Sequence, residues 1–116
     1  MKKADAVASL AALAQGNRLD VFRLLVEAGP EGIPAGHIAA SLRLPPSALT
    51  FHLDRLREAG LIVSRREGRS MIYAARIEAT NALVSYLTDH CCQSRPELCR
   101  PAPRASAARK RAKACL

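Results

Sequence analysis

Apolar residues recur at helical spacing through most of the first 60 residues. The pattern predicts four helices, over residues 4–14, 18–28, 35–42 and 46–59. Asn17 is the predicted N-cap of the second helix, and Gly60 ends the fourth. Because residues 18–28 are apolar on most sides, we expect this helix to lie at the centre of the core.

The pattern changes to strand-like runs after Gly60. Residues 61–66 and 71–75 are predicted strands, and residues 67–70 form the turn of their hairpin. Helical spacing returns over residues 77–92, with one stripe made of Ala79, Leu83, Tyr86, Leu87 and His90. Two short helices followed by a hairpin predict a mainly α fold with a β-hairpin wing, a winged helix-turn-helix. A small α+β domain with a chance likeness to that order is the alternative.

The composition changes near residue 92. The 116 residues suit one domain, which we place at residues 1–92. Residues 93–116 are rich in Pro, Ala and Arg, carry Cys99 and Cys115, and predict a basic, partly disordered tail. No apolar run approaches the roughly 20 residues of a membrane span, and no apolar signal core follows the N-terminus. We therefore expect a cytoplasmic protein that has no membrane partner.

The net charge of +8 is unevenly distributed. Residues 43–76 carry seven basic against three acidic groups, and residues 94–116 carry seven against one. A basic block on the predicted helix-turn-helix and wing favours a polyanionic partner. The chain has only four aromatic residues and no Trp, which argues against a stacking platform for single strands. Duplex DNA is the expected partner.

The predicted fourth helix separates into two faces at about 100° per residue. Leu49, Leu53 and Leu56 form its core face. A recognition helix contacts base edges mainly through its N-terminal residues. The candidate DNA-binding residues of this helix are Ser47, Thr50, Phe51, His52 and Arg55.

Two of these candidates have competing interpretations. Phe51 on the outer face could contact a thymine methyl group, or it could pack under the hairpin or a neighbouring loop. His52 lies near the edge of the core face, where packing or local capping is the favoured role.

Three arginines surround the predicted hairpin tip. Arg65, Arg66 and Arg69 would lie beside the DNA backbone if the fourth helix entered the major groove. Phosphate contacts of this kind position a protein without reading sequence. An ordinary solvated hairpin is the alternative.

Several segments together resemble the ArsR/SmtB family of metal-sensing repressors. The resemblance is carried by Tyr73 and by residues 16–25, 38–42, 49–56, 59–62 and 66–69, and it covers about residues 4–92. It implies a homodimer built on the first and last helices, which binds an operator and releases it when a metal or metalloid binds. A two-fold dimer would read an inverted repeat.

The cysteines supply the candidate inducer site. Residues 35–42 contain no cysteine, and the last predicted helix offers Asp89 and His90 next to each other, where adjacent side chains diverge. Cys91, Cys92 and Cys99 remain, and soft thiolates select thiophilic ions. The resemblance is closest to the arsenic-responsive branch with thiols at the end of the final helix, which implies As(III) or Sb(III) as inducer.

Other functions of these thiols are weighed beside arsenic. His90 or Cys115 could add a fourth ligand for zinc, cadmium or lead, and the cluster could instead respond to oxidation. A thiol-dependent enzyme is not expected, because no Cys-x-x-Cys motif follows a strand and no phosphate-binding loop is present.

Overall fold

A computed structural model of the chain describes residues 1–89. The elements in this range are α1 (Lys3–Leu13), α2 (Gly16–Ala28), β1 (Ile33–Pro34), α3 (Ala35–Leu42), α4 (Pro46–Glu58), β2 (Ile62–Glu67), β3 (Ser70–Ala75) and α5 (Ile77–Thr88). The predicted mainly α fold with a hairpin wing is confirmed. Residues 90–92 of the predicted last helix, and the predicted tail, lie outside the described residues.

The core forms where α2 packs against α4. Val21 and Leu25 of α2 are fully buried, which confirms that this helix is central. On α4, the predicted core face is confirmed because Leu49, Leu53 and Leu56 are all buried. Burying a leucine side chain contributes about 1.5–3 kcal/mol, so these contacts fix α4 firmly to the body of the domain.

The start of α2 differs from the prediction. Gln15 is the N-cap, and its side-chain oxygen accepts a hydrogen bond from the backbone N–H of Arg18 at 2.9 Å. Asn17 lies inside the first turn, so its prediction as the N-cap is wrong. The Gln15 side chain thus satisfies a backbone N–H of the first turn, a role that Ser, Thr, Asp or Asn usually fills.

A two-residue strand completes the sheet. β3 lies between β1 and β2, and Ile33 of β1 pairs with Tyr73 of β3. No strand is predicted at residues 33–34, because two residues that include a proline give no alternating pattern. The wing turn is also tighter than predicted, since Glu67 and Ser70 are paired across the hairpin.

Helices α1 and α5 pack against each other. Ala6 and Ala12 of α1 and Leu83 of α5 are buried. The large apolar side chains of the two helices that stay exposed are Val7, Leu10, Val84, Tyr86 and Leu87. Across residues 1–89, no helix combines the length and the apolar character that crossing a membrane requires.

Gly32 provides a test of the close approach between β3 and the turn that precedes β1. We expect Gly32→Ala to lower the free energy of unfolding by about 2–4 kcal/mol, since overpacking adds to left-handed strain. Its φ is +76°, and a Cβ there would meet the carbonyl oxygen of Tyr73 at 2.5 Å. Urea denaturation followed by circular dichroism measures the change.

Gly36 on α3 is the matched control, because a Cβ added there would meet nothing within 4 Å. Gly36→Ala should be neutral, or stabilise by up to about 1 kcal/mol. A Gly32→Ala protein as stable as the original would contradict the described packing.

Candidate nucleic-acid interface

The turn between α3 and α4 sets the direction of α4. Arg43 ends α3 in the left-handed region at φ 55°, and the N–H of Leu44 donates to the carbonyl of Ala39 at 3.0 Å. Pro45 is the N-cap of α4, and Pro46 occupies its first turn, where a fixed φ suits a helix start. A short, hydrogen-bonded turn with two prolines therefore holds α4 at a defined angle to α3.

The outer face of α4 is exposed as predicted. The side chains of Ser47, Thr50 and Arg55 are all exposed, on the side opposite the buried leucines. The Thr50 hydroxyl donates to the carbonyl of Pro46 at 2.9 Å, which anchors its side chain on the helix. This face therefore presents short polar groups near the N-terminus of α4 and a cation one turn later, an arrangement that suits base edges.

Phe51 is half exposed, at 53% of its surface. The hairpin therefore does not cover the ring, which argues against the interpretation that Phe51 packs under the hairpin or a neighbouring loop. The Arg55 guanidinium lies 5.1 Å from the ring centroid, within cation–π range. Arg55 also pairs with Glu58 at 3.2 Å, so the stacked cation is held in place at its other side. An aromatic ring and an oriented arginine thus share the centre of the outer face.

His52 is buried at the edge of the core face of α4, with 8% of its surface exposed, and its ring meets the Phe51 ring edge-on at 5.9 Å between centroids. Its Nδ1 has no hydrogen-bond partner among residues 1–89. Burial, followed by the charge of Arg18 on α2, holds the pKa of His52 below its ordinary value. Its burial at the core edge fits the favoured packing role.

The wing arginines are all exposed but differ in their partners. Arg65 pairs with Glu67 at 2.6 Å and also donates to the carbonyl oxygen of Glu31 at 2.6 Å. The side chains of Arg66 and Arg69 make no hydrogen bond or ion pair within residues 1–89. Of the three arginines predicted to contact phosphates, Arg66 and Arg69 are therefore available to an anion, whereas Arg65 is bonded within the protein.

Arg57 lies between α4 and the wing, and the sequence pattern did not single it out. Its guanidinium donates to the Ser64 hydroxyl at 3.4 Å and to the Asp54 carboxylate at 3.5 Å. It therefore links the last turn of α4 to the first half of β2. Its position in the last turn, where cations favour the helix dipole, was the available signal.

The candidate inducer residues are not part of this region. Cys91, Cys92, Cys99 and Cys115 all lie outside the described residues. Within residues 1–89, no group of three or more His, Cys, Asp and Glu side chains is arranged to hold a metal ion.

The fold combines a buried contact between α2 and α4, an exposed outer face on α4 and a basic two-stranded wing. Together these features define a winged helix-turn-helix DNA-binding protein. Residues 13–65 match a protein family described as a helix-turn-helix domain. The chain is 34% identical over 88 residues to the HTH-type transcriptional regulator YgaV of Escherichia coli (strain K12), across 76% of this chain and 87% of that protein. It is 31% identical over 91 residues to the transcriptional activator HlyU of Vibrio cholerae, across 78% and 82% respectively.

Solved structures agree with these relatives. An ArsR-like transcriptional regulator from Rhodococcus sp. RHA1 superposes with a TM-score of 0.68 at 25% identity, over 83% of this chain and 88% of that one. The homodimeric winged helix-turn-helix domain of Mb0332 from Mycobacterium bovis gives 0.60 at 27% identity, over 74% and 80%. Reduced HlyU from Vibrio cholerae gives 0.59 at 32% identity, over 78% and 92%.

The chain belongs to the winged helix-turn-helix transcriptional regulators of the ArsR/SmtB type. Its relatives are DNA-binding regulators and not enzymes.

Burial of neutral His52 should make stability depend on pH. Its pKa is lowered in the folded state, so the unfolded chain binds the proton more strongly. The free energy of unfolding should therefore fall as the pH drops through about 6.5, the ordinary value for histidine. His52→Gln should remove this part of the dependence, measured by urea denaturation between pH 7.5 and 5.5, a range chosen about the ordinary histidine pKa.

His37→Gln is the control, because His37 is exposed on α3. It should keep the pH dependence of the original protein. A His52→Gln protein with the original pH dependence would show that the proton is taken up elsewhere.

Proposed function

We propose that the chain is a homodimeric transcriptional repressor that binds an inverted-repeat DNA operator and releases it when As(III) or Sb(III) binds. The observation that carries DNA binding is the exposed outer face of α4, on which Phe51 and Arg55 stack while the opposite face is buried in the core. An exposed aromatic ring beside an arginine on this face supports a base-reading role, because both side-chain types contact base edges in the major groove.

The proposed contacts divide by chemistry. Ser47, Thr50, Phe51 and Arg55 would enter the major groove, where an arginine donates to guanine and an apolar ring contacts a thymine methyl group. Arg66 and Arg69 of the wing would bind phosphates, since they have no partner in the described residues. His52 would help to hold α4 in place through its packing at the core edge.

The proposed dimer uses the exposed apolar side chains of α1 and α5. Val7, Leu10, Val84 and Leu87 lie on two helices that already pack together, so pairing a second copy there would extend the core. The homodimeric state of Mb0332 supports a dimer for this chain. A two-fold axis would set the two α4 helices about 34–36 Å apart, on successive major grooves.

The proposed inducer site consists of Cys91, Cys92 and Cys99, which follow directly on α5 in the sequence. Binding that gathers three thiolates would rearrange the chain at the end of a dimer helix. Release requires that the ligand prefer the arrangement that does not fit DNA, and reciprocity then requires DNA to weaken ligand binding. Zinc, cadmium or lead at the same thiols is an alternative metal response.

A response to thiol oxidation is the second candidate function. The likeness to HlyU, solved in a reduced form, favours it. Adjacent Cys91 and Cys92, with Cys99 nearby in sequence, supply the thiols that such a response needs.

Phe51→Ala should weaken duplex binding by about tenfold, the order expected when a base contact is lost. It should change stability little, because the ring is half exposed. Fluorescence anisotropy with a duplex selected from a random pool measures the affinity. Leu19→Ala on α2, with 44% exposure, is the control and should bind normally. Unchanged affinity in Phe51→Ala would argue against this face as the reader.

Leu87→Glu should produce a folded monomer that has lost operator affinity, because a charge would be buried at the proposed dimer surface. Sedimentation equilibrium measures the mass. Val63→Glu is the control, because Val63 on β2 has similar exposure (47% against 57%) but lies off the α1–α5 face. A dimeric Leu87→Glu protein would place the interface elsewhere.

Cys91→Ser, Cys92→Ser and Cys99→Ser should each retain DNA binding but lose release by arsenite under reducing conditions. Anisotropy of a labelled operator, titrated with arsenite, measures release, and Cys115→Ser should respond like the original. Full release in all three variants would contradict the assigned site. Release by diamide without arsenite, reversed by dithiothreitol, would instead identify the oxidation response.

A further inference from the structure

Arg65 joins the wing to a distant turn. Its Nη2 donates to the carbonyl oxygen of Glu31, which lies 34 positions earlier in the chain, at 2.6 Å. Its Nε donates to the carboxylate of Glu67 on the same strand, also at 2.6 Å. We call these two hydrogen bonds the Arg65 link. It connects β2 to the turn formed by residues 29–32.

The turn that receives the Arg65 link is itself firmly held. The N–H of Gly32 donates to the carbonyl of Gly29 at 3.2 Å. Ile33, directly after the turn, is paired with Tyr73 of β3. The space beside Gly32 is closed by the Tyr73 carbonyl oxygen. The Glu31 carbonyl is therefore a fixed point on the body of the domain, against which the wing can be oriented.

The geometry of the Arg65 link suits arginine in particular. A planar guanidinium presents several N–H donors in fixed directions, so Nε and Nη2 can reach two acceptors at once. A lysine ammonium is a point charge on a flexible stem and does not reproduce this fork. The Glu67 carboxylate also offsets the charge of Arg65, which reduces what the pair can offer to a phosphate.

Arg66, the neighbour of Arg65 on β2, differs from it in the contacts of its side chain. Arg65 and Arg66 are adjacent on β2, so their side chains point to opposite faces of the hairpin. Arg66 is exposed and has no partner within residues 1–89, and the same holds for Arg69 at the turn. The wing therefore carries one arginine bonded inside the protein and two that are open to an anion.

We propose that Arg65 is a positioning residue, which sets the angle of the wing by tying β2 to the 29–32 turn, and that phosphate contact is left to Arg66 and Arg69. The proposal rests on the proposed use of the wing in DNA binding. The proposal distinguishes two causes of weaker DNA binding. A lost phosphate contact reduces the dependence of affinity on salt, whereas a misplaced wing lowers affinity through geometry.

The test compares alanine and lysine at two adjacent positions. Arg66→Ala should reduce the slope of log affinity against log salt by about 0.9 per protomer, and Arg66→Lys should restore it. Arg65→Ala and Arg65→Lys should both weaken binding by about fivefold, the order expected for one exposed charge-assisted pair. In both Arg65 variants the salt slope should equal that of the original protein. Anisotropy titrations over a series of salt concentrations give both quantities.

A second measurement uses the protein without DNA. Amide hydrogen exchange of residues 65–70 should be faster in Arg65→Ala and Arg65→Lys than in the original protein, with an unchanged melting temperature. Arg66→Ala should leave this exchange as it was. A change confined to the wing separates positioning from a general loss of stability.

Two results would overturn the proposal. One is a reduced salt slope in Arg65→Ala that Arg65→Lys restores, which would make Arg65 a phosphate contact. The other is wing exchange in both Arg65 variants equal to that of the original protein. If the Arg66 variants keep the original salt slope, the wing–phosphate contacts of the proposed function fail, and the exchange measurement still decides the role of Arg65.

Discussion

The packing of α4 against α2 is the constraint on which the rest of this domain depends. Val21 and Leu25 of α2 and the leucines of α4 exclude water from one another, and this burial leaves α4 a single outward face. The exposure of Phe51 follows from the same packing, because its ring projects away from the buried leucines and 53% of its surface stays exposed in the described part of the chain. His52 adds to the constraint, since its ring is buried at the core edge and this burial holds its pKa below the ordinary value.

The second constraint is the angle between the elements that would meet DNA. The turn after α3 holds the start of α4 through Pro45 and Pro46, and Arg57 joins the other end of α4 to β2. The Arg65 link then joins β2 to the turn before β1. These side chains form a continuous connection from helix to strand to turn. A recognition helix and a wing joined in this way can be presented to a duplex as one rigid surface, which lowers the ordering cost of binding.

Sequence patterns predicted the elements whose apolar periodicity is strong and failed where single side chains decide the structure. The core face of α4 and the hairpin follow from spacing alone. The N-cap at Gln15 and the short β1 do not, because one depends on which polar side chain reaches an amide and the other on a partner strand far along the chain. Basic residues near the hairpin tip were predictable as a group. That Arg65 is engaged while Arg66 is not depends on the Glu31 carbonyl, which no local pattern brings near β2.

The most direct measurement of the central claim is an amide chemical-shift map of the ¹⁵N-labelled protein on addition of a selected duplex. If the outer face of α4 reads DNA beside the wing, the largest shifts should fall on residues 46–55 and 65–70, with residues 3–13 of α1 changing least. Largest shifts on α1 and α5, with α4 and the wing unaffected, would contradict this account of how the protein binds DNA.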